Sequence, residues 1–296
     1  MDSSDFSFDG IHISDFGAVF LPSKWPGAAK ITVNEATAPG RHGTIRYPGE
    51  TYGEKALEGK LYLLGPDDEP MTYAHTLERA DEVIAWLRPG GRRRLTLDAM
   101  PDRFFMAEIT SEICVTTDDW DNGCMALKFT LQPFSYAAHE SAVSFVLAAN
   151  AGQSKTLYVP GNMPAPLLLT LTARAEGGAS APTGARNSAQ PNEARSLDAP
   201  KGGGEAEVVV SMVQVTASGQ TLKLTGLGLT AGKVLAIGAD VESGEIMTCN
   251  ADGAPAMGKV TAESTAPYEL LPGARSVAVV ADGACEVRVA VRGRWR

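Results

Sequence analysis

Closely spaced cysteine pairs are missing from this 296-residue chain. Cys114, Cys124, Cys249 and Cys285 are scattered, with no C-x-x-C pair among them. Structural zinc sites draw their ligands from two such pairs, so the spacing predicts no metal. The thiols are expected to be reduced and buried, as suits a reducing compartment. Cys114 and Cys124 flank a predicted hairpin turn and are expected to stay unpaired. Histidine is scarce too: His12, His42, His75 and His139 lie far apart, none with a helical i,i+4 partner. Spacing leaves a catalytic triad open, because its members meet in space. No G-x-S-x-G elbow, H-E-x-x-H helix or P-loop occurs, however, and no cofactor is expected.

Positive charge is also in deficit. Lysine and arginine total 26 against 35 acidic residues, giving a net charge of −9. Duplex binding needs a basic face that neutralises phosphates, so nucleic acid is not an expected partner. The cluster Arg92-Arg93-Arg94 reads as a solvated or carboxylate-paired loop. No run approaches the ~20 apolar residues that span a bilayer. The opening MDSSDFSFDG has neither the basic start nor the apolar core of a secretory signal. Synthesis in the cytoplasm is therefore expected, with departure only as part of a larger particle.

What is present is glycine, 31 residues of it, punctuating short apolar runs. That favours many strands over long helices. Phe6, Phe8, Ile11 and Ile13 nearly alternate with polar residues around Asp9-Gly10. Strands are predicted at 55–65, 93–99, 104–117 and 124–134, with a turn at 118–123. Residues 40–53 read as a hairpin or an extended loop around Thr44–Tyr47. A helix is predicted over 73–87, with Thr72 as its cap, Pro89-Gly90 as its stop, and Ala74, Leu77, Ala80, Ile84 and Leu87 as its buried face. From about residue 140 onward, glycine-bounded strands of about eight residues carry the signature of a β-sandwich. Residues 174–206 hold one large aliphatic residue, Leu197, and are expected to form a long mobile loop interrupting it.

Other chemistry finds little support. Asp98, Asp102, Glu108, Asp118, Asp119 and Asp121 read as turn and surface residues rather than paired catalytic carboxylates. The acidic turn 118–121 lacks the ligand repeat of a calcium loop. Among the tryptophans, Trp86 is expected at the helix–sheet boundary and Trp295 closing the sandwich. Trp25 is expected to pack in a core or an interface, and Trp120 is the candidate exposed aromatic.

The segment FDGIHISDFGAVF (8–20) resembles the opening strands of the distal tail proteins of long-tailed bacteriophages, with Gly10-Ile11 followed by Asp15-Phe16-Gly17. Further pieces fall in that family's order: 39–53, 83–109, 131–136 and 270–295. The resemblance implies a mainly β molecule. Residues 1–137 would form a ring-forming β-structure with one helix, and 138–296 a galectin-like β-sandwich carrying the 174–206 insertion. It further implies a homo-hexameric ring in the virion tail, between the tail tube protein and a tail-tip or receptor-binding protein, without catalysis. Arg41, His42, Ile45, Tyr47 and Tyr52 are the candidate ring contacts, since a closing ring needs heterologous faces that an extended arm can supply. A carbohydrate-binding module of an adhesion device is the alternative, and an exposed aromatic beside a polar groove would favour it.

Overall fold

Alternating apolar residues produce strands almost everywhere in the chain. The structure is a computed structural model and describes residues 4–37, 42–43, 45–65, 72–116, 123–175, 208–241, 246–265 and 269–296. The first half contains β1 (Phe6–Phe8), β2 (Ile11–His12), β3 (Ala18–Lys24), β4 (Ile31–Ala36), β5 (Ile45–Tyr52) and β6 (Lys55–Leu63). Helix α1 (Tyr73–Leu87) precedes β7 (Arg93–Leu97), β8 (Arg103–Glu108), β9 (Val115–Thr116) and the long β10 (Cys124–Ala137). The second half adds β11 (Ser141–Leu147), β12 (Ala151–Val159), β13 (Ala165–Ala173), β14 (Val208–Ala217), β15 (Gln220–Thr230) and β16 (Val234–Asp240). Then come β17 (Ile246–Ala251), β18 (Ala254–Pro255), β19 (Glu269–Leu270), β20 (Gly273–Ala281), β21 (Cys285–Val291) and β22 (Arg294–Trp295).

The first sheet runs β2-β1-β7-β8-β10-β6-β3, with β9 and β22 also paired to β10. One face buries Leu57, Leu61 and Leu63 of β6 with Met125, Leu127, Phe129 and Leu131 of β10. Gly59 interrupts the β6 series because Phe20 lies across it. A Cβ there would come within 2.5 Å of both the Phe20 ring and the Leu21 carbonyl. Trp86 stacks on Phe16 with ring centroids 4.6 Å apart and donates from Nε1 to the Phe8 carbonyl at 3.0 Å. Its expected place between helix and sheet holds.

Helix α1 starts where expected, with Thr72 Oγ1 accepting from His75 N–H. Thr76, Ala80, Val83 and Leu87 face the core; Ala80 and Leu87 are as predicted, whereas Thr76 and Val83 are not. Ile84 is half-buried, whereas Leu77 is 37% exposed and Ala74 lies at the surface. The spacings four, three and four still trace one helical stripe, rotated from the expected one. Burying Val83 and Leu87 contributes roughly 3–6 kcal/mol together. That is enough to seat a helix too short to be stable alone.

The second half is a sandwich. One sheet runs β11-β21-β13-β16-β17-β18, with β19 on β13, and the other β12-β20-β14-β15. Leu167, Leu169 and Leu171 alternate inward from β13, and Val287, Val289 and Val291 from β21. They meet Val277 and Val279 of β20 and Val213 and Val215 of β14 across a shared core. Of the expected loop at 174–206, only Arg174 and Ala175 lie within the described residues.

Two further expectations fail. Trp295 does not close the sandwich, because β22 crosses to the first sheet and pairs Trp295 with Ser135 of β10. Cys114 is not buried. Ile113 and Val115 turn towards the core, so the alternation sends Cys114 to the surface. None of the four cysteines is in a disulfide, and burial pushes Cys285 up to about 11, with the Asp282 charge adding to the effect. That thiol is inert at neutral pH.

Candidate assembly surface

Strands β4 and β5 form a two-stranded arm that joins no other sheet among the described residues. Strand β4 pairs with β5 and with no other described strand. Its register runs from Ile31 opposite Tyr52 to Ala36 opposite Ile45. Apart from half-buried Val33, every residue of β4 is exposed, including Ile31. A two-stranded hairpin of this kind is marginal alone in water. Its base is fixed by Gly53 N–H donating to the Lys30 carbonyl at 2.7 Å and by the Tyr52 ring, edge-on to Phe134 at 5.3 Å.

The expected contact residues fall along this arm. His42 is exposed, positions 45 and 47 lie on β5, and Arg41 is outside the described residues. Tyr52 sits at the base, where its own chain holds the ring. The sequence reading misses β4 as the partner strand. Trp120 also lies outside the described residues.

Strand β3 is an edge of the first sheet, bonded to β6 on one side only among the described strands. Leu21 is 55% exposed on it, and Pro22 removes one backbone donor. Prolines and charges are how exposed edges limit uncontrolled pairing. Beside it opens a groove of about 620 Å³, lined by Leu21, Ser23, Glu58, Lys60, Tyr62 and Lys128 among others. Glu58 lies 3.6 Å from Lys24 and 3.4 Å from Lys128.

The polar candidates are mostly tied to neighbours. Arg92 pairs with Glu54 and lies 3.3 Å from Glu108, while Arg94 covers the Phe104 ring at 4.7 Å. Asp102 lies 3.4 Å from Arg103, and residues 118, 119 and 121 are outside the described residues. Among the described residues no three His, Cys, Asp or Glu side chains cluster as metal ligands. One grouping does have the composition of a nucleophile, a base and an orienting acid. His12 Nδ1 lies 2.6 Å from Ser14 Oγ, and Nε2 is 3.3 Å from both oxygens of Asp98. The same Nδ1 accepts the Ser14 backbone N–H at 3.2 Å, capping the 3-10 turn Ile13–Phe16. That assigns the ring proton to Nε2, which donates to Asp98 and ties this turn to the end of β7. The lone pair a general base would use is already engaged by its own turn. The groove beside β3 is not lined by these residues.

The seam between the first sheet and the sandwich is formed by the last residues. Tyr136 of β10 pairs with Arg294, and Ala137 N–H donates to the Gly293 carbonyl at 2.9 Å. On the other side, Asn162 and Met163 N–H both donate to the Arg294 carbonyl at 3.1 Å. Gly161, at φ +114°, is required there: a Cβ would sit 2.2 Å from the Arg294 carbonyl oxygen. Arg292 donates to the Ala137 and Ala138 carbonyls and to Glu140 at 3.0 Å. Burial pushes Glu140 up, but hydrogen bonds and charge from Arg288 and Arg292 outweigh it and hold the carboxyl below its usual range. Arginine at 292, 294 and 296, a period of two, is the sequence signal for this seam.

No protein-family model matches the sequence, and no curated protein matches it. Among solved structures, BuGH86 bound to neoagarooctaose aligns over 72% of this chain and 37% of that one, at 8% identity and a TM-score of 0.22, too low to carry any argument. The crystal structure of SPP1 Dit, described as a paradigm of the hub adsorption apparatus in phages infecting Gram-positive bacteria, aligns over 97% of this chain and 98% of that one. Identity is 12% and the TM-score 0.60, so the chain shares that protein's fold from end to end.

Proposed function

We propose that this chain is a structural subunit at the distal end of a long-tailed bacteriophage tail. Copies form a hexameric ring that joins the tail tube to the tail-tip or adhesion apparatus. The observation that carries this reading is the end-to-end likeness to SPP1 Dit, spanning both the first sheet with its helix and the sandwich. The arm β4–β5 and the edge β3 support it, since both offer strand surface that a neighbouring copy can complete. Residues 1–137 form the ring in this reading, and 138–296 a galectin-like module facing the adhesion apparatus. A net charge of −9 suits a part that must not hold passing DNA. The role is positional and not catalytic, in keeping with the capping duty of His12. Electron microscopy of virions carrying an affinity label on this chain tests the proposal. Label at the distal tail end is expected, and label elsewhere or its absence from virions overturns the reading.

A further inference from the structure

We propose that Arg292, Arg294 and Arg296 form a clasp that couples the sandwich, the first sheet and the arm, so that opening it releases the sandwich and the arm together while both cores stay folded. Alternate residues of an extended segment share one face. Each of these three guanidinium groups meets a different element on that face. Arg292 lies 5.4 Å from the Phe104 ring of β8 and binds Glu140 just beyond β10. Arg294, only 8% exposed, covers the Phe134 ring of β10 at 4.4 Å and reaches Glu269 of β19 at 3.2 Å. Arg296 lies 5.8 Å from the Tyr52 ring at the arm's base, within range of a cation–π contact. Its backbone N–H donates to Asn162 Oδ1 at 2.9 Å, on the sandwich side. Tyr52 and Arg294 both pack on Phe134, so one ring links the arm to the seam.

The apolar content of the seam is small beside the two cores. Its cluster holds Phe104, Met106, Phe134 and Tyr136 from the first sheet, whereas the sandwich side contributes Val241 and half-buried Met163. A cavity of about 100 Å³, lined by Arg94, Tyr136, Glu140, Leu168 and Arg292 among others, remains beneath it. Contact surfaces of this size within a chain ordinarily permit relative motion. Resistance to that motion therefore falls to the arginine row and the backbone bonds of residues 293–296. Arginine is suited to this because its planar fork binds several acceptors and a ring at once, which lysine cannot do.

Amide hydrogen exchange of the full chain tests the clasp with two variants. Arg294→Met keeps the side-chain length but removes the charge and the Glu269 contact. Exchange is expected to rise roughly tenfold or more both at 160–163 and along β4–β5, with α1 and β13 unchanged. Arg296→Ala, at an exposed position, keeps the backbone bond to Asn162 and is expected to raise exchange at the arm base only. A seam that loosens in Arg294→Met while the arm keeps wild-type exchange contradicts the coupling. Faster exchange throughout both cores would make Arg294 a core residue and contradict it equally, as would an arm indifferent to Arg296→Ala.

Discussion

Val83→Asp and Leu77→Asp place the same carboxylate on neighbouring turns of α1, one in the core and one at the surface. Val83 is fully buried among the first-sheet core residues, whereas Leu77 is 37% exposed. Removing the valine forfeits roughly 1.5–3 kcal/mol of apolar burial. The carboxylate then ionises in an apolar site with no partner, or protonates against a raised pKa, which brings the expected cost to roughly 3 kcal/mol or more. For a region of this size each kcal/mol moves the melting temperature by roughly 2–4 °C, so Val83→Asp should melt at least about 6 °C lower. Leu77→Asp should stay within about 1 kcal/mol of wild type. The carboxyl introduced by Val83→Asp would have a raised folded pKa, so its penalty should be constant above that value and shrink as pH falls through it towards the ordinary aspartate value. Urea unfolding followed by tryptophan fluorescence reads these differences as midpoint shifts at constant slope. Equal costs at the two positions, or a larger one at 77, would refute the packing described for this helix.

Three further outcomes follow from the same structure. The folded pKa of Glu140 is depressed, so its stabilisation is complete above the ordinary value of 4.5 and is lost as pH falls through the lower folded value. Stability curves of wild type and Glu140→Gln should therefore converge on acidification, and curves that stay parallel would exclude this role. Replacing residues 31–52 with a short linker should preserve the thermal transitions, because no described side chain of β4 or β5 belongs to the two large cores, yet abolish self-association; loss of the transitions would show the arm to be part of the fold. His12→Gln should cost no more than about 1 kcal/mol, since glutamine can still reach one of the cap partners, and should leave particle assembly intact. Hydrolysis of a host-surface polymer that disappears in this variant would instead make Ser14, His12 and Asp98 a catalytic group.

Legibility in the sequence follows burial. The strands of the sandwich and β6 and β10 announce themselves because one side of each faces a core, which imposes alternation on residues such as Leu167, Leu169 and Leu171. Strand β4 imposes none, since its residues face water, and so pattern alone places the arm around 39–53 without its partner strand at 31–36. The helix is legible by its cap, stop and period. Its facing is only partly so, because Thr76 and Val83 compete with Leu77 and Ile84 for places beside Ala80 and Leu87, and the packing of Thr76 near Gly123 decides between them. Trp295 reads as part of the sandwich because it follows β21 directly. Its pairing with Ser135 of β10 joins residues 160 positions apart, which local pattern does not encode. The His12–Asp98 contact joins residues 86 positions apart and leaves no local signature either.

The mass of the purified assembly tests the central claim most directly. Native mass spectrometry across a concentration series, alone and with the tail tube protein, should reveal a closed species of six copies of the 31.1 kDa chain, about 187 kDa, without larger open polymers. A chain that remains a monomer at every concentration and in the presence of the tube protein would contradict the account.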